Sequence, residues 1–163
     1  MPIDATPGGP ASDSYCTLED ADGYHAGRGH NEAWAAASVE VKERMLKWAT
    51  TRLDTHYRYR GARATEAQAL AWPRRGVVFD GARVSDASIP VRLRAAVAEF
   101  AFRLLEEDWA AGVGPLVDEG MEVGPLKLTA ERHVPIPSEV AALVAPLVLP
   151  SLGGLGSFTL VRG

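Results

Sequence analysis

The aromatic and basic side chains of residues 57–76 have the clearest chemical potential in this chain. They comprise Tyr57, Tyr59, Trp72 and five arginines: Arg58, Arg60, Arg63, Arg74 and Arg75. Aromatic faces stack on bases and guanidinium groups neutralise phosphates, so this composition is typical of a single-strand binder. The alternative is structural, with Tyr57 and Trp72 in the core and the arginines paired with acidic residues or carbonyl oxygens. We favour the structural interpretation, because the aromatics fall where helices are predicted to end.

The charge distribution helps to decide between a DNA-binding role and a structural role for this cluster. The 163 residues carry a net charge of −4, yet residues 52–94 hold nine Lys and Arg against four Asp and Glu. The acidic residues dominate on both sides, eight against four in residues 1–51 and nine against four in residues 95–163. Overall acidity argues against nucleic-acid binding as the main task, since phosphate neutralisation supplies most of that affinity. The basic middle could lie near nucleic acid or against an acidic neighbouring subunit.

The sequence lacks a recognisable catalytic or metal-binding pattern. The four histidines are scattered and Cys16 is alone, so neither zinc spacing nor an internal disulfide is available. Glycine-rich phosphate loops and nucleophile elbows are missing, and Glu99 looks like part of a solvated helix face. We therefore expect no enzyme activity, no metal and no cofactor. The chain also lacks a signal peptide and an apolar run of roughly 20 residues, which predicts a soluble protein made in the cytoplasm, away from membranes.

Hydrophobic periodicity predicts a mainly α fold: a helical bundle with a small β-hairpin and an extended C-terminal arm containing short strands. Residues 1–14 read as a flexible N-terminal arm, residues 15–112 as the bundle body, and residues 113–163 as a strand, a short helix from Ser138 and a docking tail. The predicted hairpin lies near residues 77–84, around Asp80-Gly81. Six spaced apolar residues are predicted to form the core: Leu46, Ala49, Leu53, Val97, Phe100 and Leu104.

Local signals place the ends of the helices. Helix starts are predicted at the capping residues Thr17, Asn31, Ser38 and Thr65, the last with Gln68 as a capping box, and at Pro90. The longest helix is expected to run from Ser38 to about Arg60, with Gly61 in the C′ position. The helix from Thr65 should stop at Pro73, and the helix after Pro90 should end before Gly112.

Four segments in this order resemble one known family: residues 15–22 (YCTLEDAD), 31–34 (NEAW), 57–61 (YRYRG) and 69–76 (ALAWPRRG). The family comprises the small head–tail adaptor (connector) proteins of long-tailed bacteriophages, also labelled DnaT-like single-stranded-DNA-binding proteins. The resemblance covers residues 15 to about 109 and extends weakly to residues 123–126.

The resemblance implies a structural virion protein of the phage neck. Its partners would be the portal protein, the next neck protein (a stopper or tail terminator) and its own copies in a twelve-subunit ring. Genomic DNA would pass through the lumen with weak contact only. The alternative implied by the family's second label is a single-stranded-DNA-binding protein of DnaT type.

The C-terminal segment offers a means of docking. Alternating residues in two short stretches read as strands that can add to a partner's sheet edge, on the portal or an adjacent subunit. We predict that the contacts are made by Leu126, Leu128, Phe158, Leu160 and Arg162. The arginines of residues 58–75 are then expected to face either DNA or a neighbouring subunit.

Overall fold

A computed structural model describes residues 2–106 and 136–150. The five α-helices in these ranges are α1 (Leu18–Ala26), α2 (Glu32–Ala36), α3 (Val39–His56), α4 (Val91–Glu106) and α5 (Ser138–Val144), the last continued by a 3₁₀ turn (Ala145–Leu147). Four two-residue strands join them: β1 (Ala62–Arg63), β2 (Arg74–Arg75), β3 (Val78–Phe79) and β4 (Ala82–Arg83). The mainly α prediction is confirmed. None of the helices in these two ranges is both long and apolar enough to cross a membrane.

The core lies between α3 and α4, the two long helices, and α1, α2 and α5 pack against α4. All six residues predicted for the core are buried, five of them completely, and Leu104 is only 8% exposed. Helical spacing of apolar residues was sufficient to identify them, because residues three and four apart share one face of a helix.

Two of the predicted caps are present, and the predicted end of α3 is corrected. The Thr17 and Ser38 side chains accept hydrogen bonds from the N–H groups of Asp20 and Val41. Helix α3 ends at His56 rather than near Arg60, because the chain becomes extended at Tyr57 and Tyr59 forms an antiparallel bridge with Val148.

Gly61 is therefore required for a different reason from the one predicted. It follows the extended segment rather than a helix, with a φ of +71° that favours glycine. A Cβ at this position would approach the Arg75 carbonyl oxygen to 2.2 Å, so the close crossing of two backbones also excludes a side chain.

The predicted hairpin is confirmed. Strand β3 pairs with β4 in antiparallel register, Val78 opposite Arg83 and Phe79 opposite Ala82. The two turn residues, Asp80 and Gly81, have φ values of 53° and 77°, as a type I′ turn requires. The pairing of β1 with β2 was not predicted, because strands of two residues carry almost no periodicity.

The helix predicted from Thr65 does not form. The Gln68 side chain does accept a hydrogen bond from the Thr65 N–H at 2.9 Å, as in a capping box. Its amide nitrogen, however, donates to the carbonyl oxygens of Leu70 and Pro73, at 2.8 and 3.1 Å. The same side chain therefore stabilises a closed loop instead of starting a helix.

The N-terminal segment differs from the predicted flexible arm. Residues 2–14 lie against the body: the Ala69 N–H donates to the Gly9 carbonyl oxygen, and Lys47 pairs with Asp13 at 2.6 Å. Ser14 is buried, and Ile3 packs against the core. The polar composition of residues 2–14 led to the wrong expectation of a flexible arm, because the segment is held mainly by polar and backbone contacts rather than by apolar burial.

Residues 136–150 also belong to the body, which was predicted to end near residue 112. Val140, Val144 and Leu147 are buried in the common core. Two backbone hydrogen bonds join this segment to the chain after α3, from Arg60 N–H to the Leu147 oxygen and from Leu149 N–H to the Arg58 oxygen. The strand predicted near residues 121–130 and the tail after residue 153 lie outside the described residues.

Truncation of the core should destabilise the protein strongly. We expect Leu53→Ala and Phe100→Ala each to lower the free energy of unfolding by about 2–5 kcal/mol, through lost burial and a residual cavity. Val39→Ala, at a position 52% exposed on α3, should change it by less than about 0.5 kcal/mol. Urea unfolding followed by circular dichroism measures all three. Equal effects at Leu53 and Val39 would contradict this description of the core.

Candidate functional site

The aromatic and basic cluster of residues 57–76 is organised around the carboxylate of Asp54, near the end of α3. The Tyr15 hydroxyl donates to its Oδ1 at 2.6 Å, and the Ala71 N–H donates to its Oδ2 at 3.0 Å. The Tyr15 hydroxyl in turn accepts a hydrogen bond from the Trp72 N–H at 3.1 Å. One carboxylate thus joins the N-terminal segment, α3 and the loop before β2.

The aromatic rings of this cluster are turned into the protein. Trp72 is 1% exposed and Tyr59 5% exposed, and their rings meet edge to face with centroids 5.9 Å apart. Tyr57 is half-buried. A buried face cannot stack on a base, so this agrees with the structural interpretation of the aromatics.

Arg74 connects the strands of the cluster through carbonyl oxygens. Its guanidinium group donates to the backbone oxygens of Arg60 at 2.6 Å, Gly61 at 2.7 Å and Ala71 at 3.1 Å. Burial lowers the pKa of this guanidinium group from its ordinary value. Its role is to satisfy carbonyl groups where the backbone crosses itself, as the structural interpretation expected.

The other four arginines divide into two kinds. Arg63 donates to the carbonyl oxygens of the loop that follows it, and Arg60 donates from Nε to the Val148 oxygen at 2.9 Å. Arg58 and Arg75 are exposed, and their side chains form neither a hydrogen bond nor an ion pair with any residue in the described part of the chain. Only these two are fully available to an outside partner.

An open groove of about 360 Å³ lies between β2 and the hairpin. Arg75 and Arg83 line it together with the loop that leads from β4 towards α4, which includes Asp86. Arg92 extends the basic surface, with its guanidinium carbon 5.1 Å from the centroid of the Phe79 ring. This surface can hold an anionic group weakly, because Asp86 offsets part of the positive charge.

A second polar cluster ties α1 to α4, and it corrects the expectation for Glu99. Its carboxylate is 3% exposed rather than solvated, and it pairs with Arg28 at 2.9 Å. The Tyr24 hydroxyl also donates to it, at 3.3 Å. Nearby, the Nε2 atom of buried His25 lies 3.0 Å from the Ala98 oxygen, and burial lowers the pKa of this imidazole. Glu99, Arg28 and Tyr24 thus have partners within the cluster, whereas Nδ1 of His25 is buried without a hydrogen-bond partner among the described residues.

Metal or thiol chemistry has no visible support in this part of the molecule. Within residues 2–106 and 136–150, no group of three or more His, Cys, Asp or Glu side chains is placed to hold a metal ion.

Cys16 is buried, which raises the pKa of its thiol to about 12, so the reactive thiolate is strongly disfavoured.

The residues predicted to bind a partner through the tail remain a prediction. They lie outside the described residues: Leu126, Leu128, Phe158, Leu160 and Arg162.

Asp54 should give the stability of the protein a defined pH dependence. Burial raises the pKa of its carboxyl group, so the protonated form is favoured in the folded state. Its contribution is therefore greatest at acidic pH and declines as pH rises through the raised pKa. We expect Asp54→Asn to destabilise by about 1–3 kcal/mol near pH 4, through loss of an acceptor, and by less at pH 7.

The matched control is Glu32→Gln, an exposed carboxyl group whose removal should change stability by less than about 0.5 kcal/mol at either pH. Chemical unfolding of both variants beside the parent protein at the two pH values gives the comparison. A penalty for Asp54→Asn that grows with pH would show that the carboxylate, not the acid, is the favoured buried form.

Comparison with known proteins adds one finding. The model of the family described as "Putative DnaT-like ssDNA binding protein" matches residues 1–163. Comparison with curated proteins and with solved structures yields no match. The match over the whole length shows that the chain belongs to this DnaT-like family.

Proposed function

We propose that the protein is a structural subunit of a bacteriophage neck. It would form the head–tail adaptor ring that sits on the portal and seats the next neck protein, a stopper or tail terminator. The observation that carries this proposal is the separation of unpaired charge to opposite ends of a packed bundle. The resemblance of residues 15–109 to phage adaptors supports it independently.

The packing of the helices defines two ends of the molecule, one at the start of α3 and one at its end. The start of α3 lies beside α1 and α2, where Lys42 pairs with Asp22 at 2.9 Å and lies over the Trp34 ring. The end of α3 lies beside the N-terminal segment and the loop before β2, through Asp54. Residues near the start of α3 and residues near the hairpin are therefore at different ends of the molecule.

Opposite charges occupy these ends. The acidic end presents Glu32, Glu40 and Glu43, and the basic end presents Arg58, Arg75 and Arg83. Within the described residues, none of the six has an ion-pair partner. Asp80 and Asp86 also lie near the hairpin, and Arg44 lies near the start of α3, so each end carries an excess of one sign rather than one sign alone. A surface with opposite excess charges at its two ends is complementary to a second copy of itself in head-to-tail contact.

Head-to-tail contact is what a ring requires. A heterologous interface joins two different surfaces of the subunit, and it generates a ring when the rotation between neighbouring copies closes. The resemblance implies twelve subunits, matching the portal. DNA in the lumen would be contacted weakly, because the net charge of the chain is −4.

The tail would provide the second contact. The described chain reaches Leu149 beside Arg58, at the basic end. In the proposal, Phe158, Leu160 and Arg162 add a strand to the portal or to an adjacent subunit, and Leu126 and Leu128 make a similar contact.

Charge reversal tests the proposed interface. The double variant Arg75→Glu with Arg83→Glu should stay folded and fail to assemble, because acidic surfaces would then face each other. Glu40→Arg with Glu43→Arg should fail in the same way. A mixture of the two double variants restores opposite charges at both alternating contacts, one between unchanged surfaces and one between reversed surfaces. The mixture should therefore recover assembly into mixed oligomers, which mass photometry detects. Normal rings from either double variant alone would refute the interface.

Removal of the tail tests the second contact. Deletion of residues 153–163 should leave the far-ultraviolet circular dichroism almost unchanged, because the described core ends before them. The truncated protein should not join heads to tails in a complementation assay with an adaptor-deficient phage. Unfolding of the truncated protein, or infectious particles made with it, would show that this assignment is mistaken.

Binding of single-stranded DNA is the second candidate. The family description favours it, and so does one structural observation, the exposed Trp48 between Arg44 and Arg52 on α3. Salt-dependent binding of an oligonucleotide by the intact protein would support this candidate.

A further inference from the structure

Trp48 has an exposed aromatic ring. It is 39% exposed on the outer face of α3. Within residues 2–106 and 136–150 it is the only exposed Phe, Tyr or Trp, and the other side chains of these three types are buried or half-buried. The other two tryptophans described, Trp34 and Trp72, are 2% and 1% exposed. A single exposed apolar side chain is common on protein surfaces, so the side chains that surround Trp48 decide what it can bind.

Two arginines flank this ring at helical spacing, and a histidine continues the row. Arg44 lies four residues before Trp48, Arg52 four residues after it, and His56 four residues further on. Residues four apart are neighbours on a helix surface, so these side chains form one inclined row along α3. We call this row the α3 stripe: Arg44, Trp48, Arg52 and His56.

The two arginines of the stripe lack a carboxylate partner. The Arg52 guanidinium carbon lies 5.8 Å from the centroid of the Trp48 ring, within the range of a cation–π interaction. No carboxylate in the described part of the chain forms an ion pair with Arg44 or Arg52. The nearby Lys47 differs, because it is paired with Asp13 at 2.6 Å.

We propose that the α3 stripe is a binding site for single-stranded nucleic acid, with a base stacked on Trp48 and phosphates held by Arg44 and Arg52. The inference rests on the second candidate function and assigns it a site. An exposed aromatic face among cations is the combination that binds single strands without sequence preference. The buried rings of Tyr59 and Trp72 cannot supply that combination.

The dimensions of the stripe suit a short strand. Twelve residues separate Arg44 from His56, which is about 18 Å along a helix. This length corresponds to about five stacked nucleotides of a single strand. Glu40, one turn before Arg44, ends the stripe at the acidic end of α3.

The test measures binding of fluorescein-labelled oligo(dT) of about 20 nucleotides, longer than the usual ~4–16-nucleotide site, by anisotropy. The full chain should bind it with a dissociation constant of roughly 1–100 µM near physiological salt. Trp48→Ala should weaken binding about 5- to 150-fold, the range measured for loss of one stacking aromatic. Trp48→Phe should retain most of the affinity, because a stacking face remains.

Two further measurements separate stacking from general charge. The oligonucleotide should quench the tryptophan fluorescence of the parent protein, and Trp48→Phe should lose most of that quenching. Arg44→Gln and Arg52→Gln should each weaken binding more than Arg75→Gln, which removes the same charge at the basic end. Circular dichroism confirms that each variant is folded.

The outcomes are distinguishable. Failure of the parent protein to bind at low salt would reject both the second candidate function and this site. Binding that Trp48→Ala leaves unchanged, or that Arg75→Gln weakens most, would reject the site and keep the function. Loss of self-association in Trp48→Ala with unchanged oligonucleotide affinity would place Trp48 in a subunit interface and also reject the proposal.

Discussion

The half-buried carboxyl group of Asp54 is the constraint on which the arrangement of the middle of this chain depends. It accepts hydrogen bonds from the Tyr15 hydroxyl and the Ala71 N–H. The Tyr15 hydroxyl in turn accepts a hydrogen bond from the Trp72 backbone N–H. In the same region the Arg74 side chain donates to four carbonyl oxygens, and Gly61 lies against the Arg75 backbone. Burial raises the pKa of the Asp54 carboxyl group, so the protonated acid, which is less costly to desolvate than the carboxylate, is favoured in the folded state.

This network has a functional consequence. Because it draws Tyr59 and Trp72 inward, the aromatic residues that look most suited to stacking on DNA serve as core, and the arginines around them hold loops. The unpaired charges that remain leave an excess of acidic residues near the start of α3 and an excess of arginines near the hairpin. A rigid body with complementary ends is what we propose for a ring subunit, and the exposed α3 stripe is a separate surface with different chemistry.

The sequence predicted those features that depend on local patterns. Helical spacing identified Leu53 and Phe100 as core, and Asp80-Gly81 identified the hairpin, because periodicity and positive φ are local properties. It did not predict the end of α3, the loop at Gln68 or the packing of residues 2–14. Each of these depends on a partner far away in sequence, such as Val148 for Tyr59 or Ala69 for Gly9. The four residues of the α3 stripe recur at i, i+4 spacing in the sequence. The sequence alone could not distinguish Trp48 from a core tryptophan, and only its exposure in the structure does so.

The central claim is that copies of this chain close into a ring on a portal. Electron microscopy of the purified protein mixed with the portal assembly from the same genome tests it most directly. The proposal predicts a single ring on one face of the portal, with the rotational symmetry of the portal and the basic end of each subunit against the acidic end of the next. A protein that remains monomeric and unbound in the presence of the portal, while binding oligonucleotides, would contradict it.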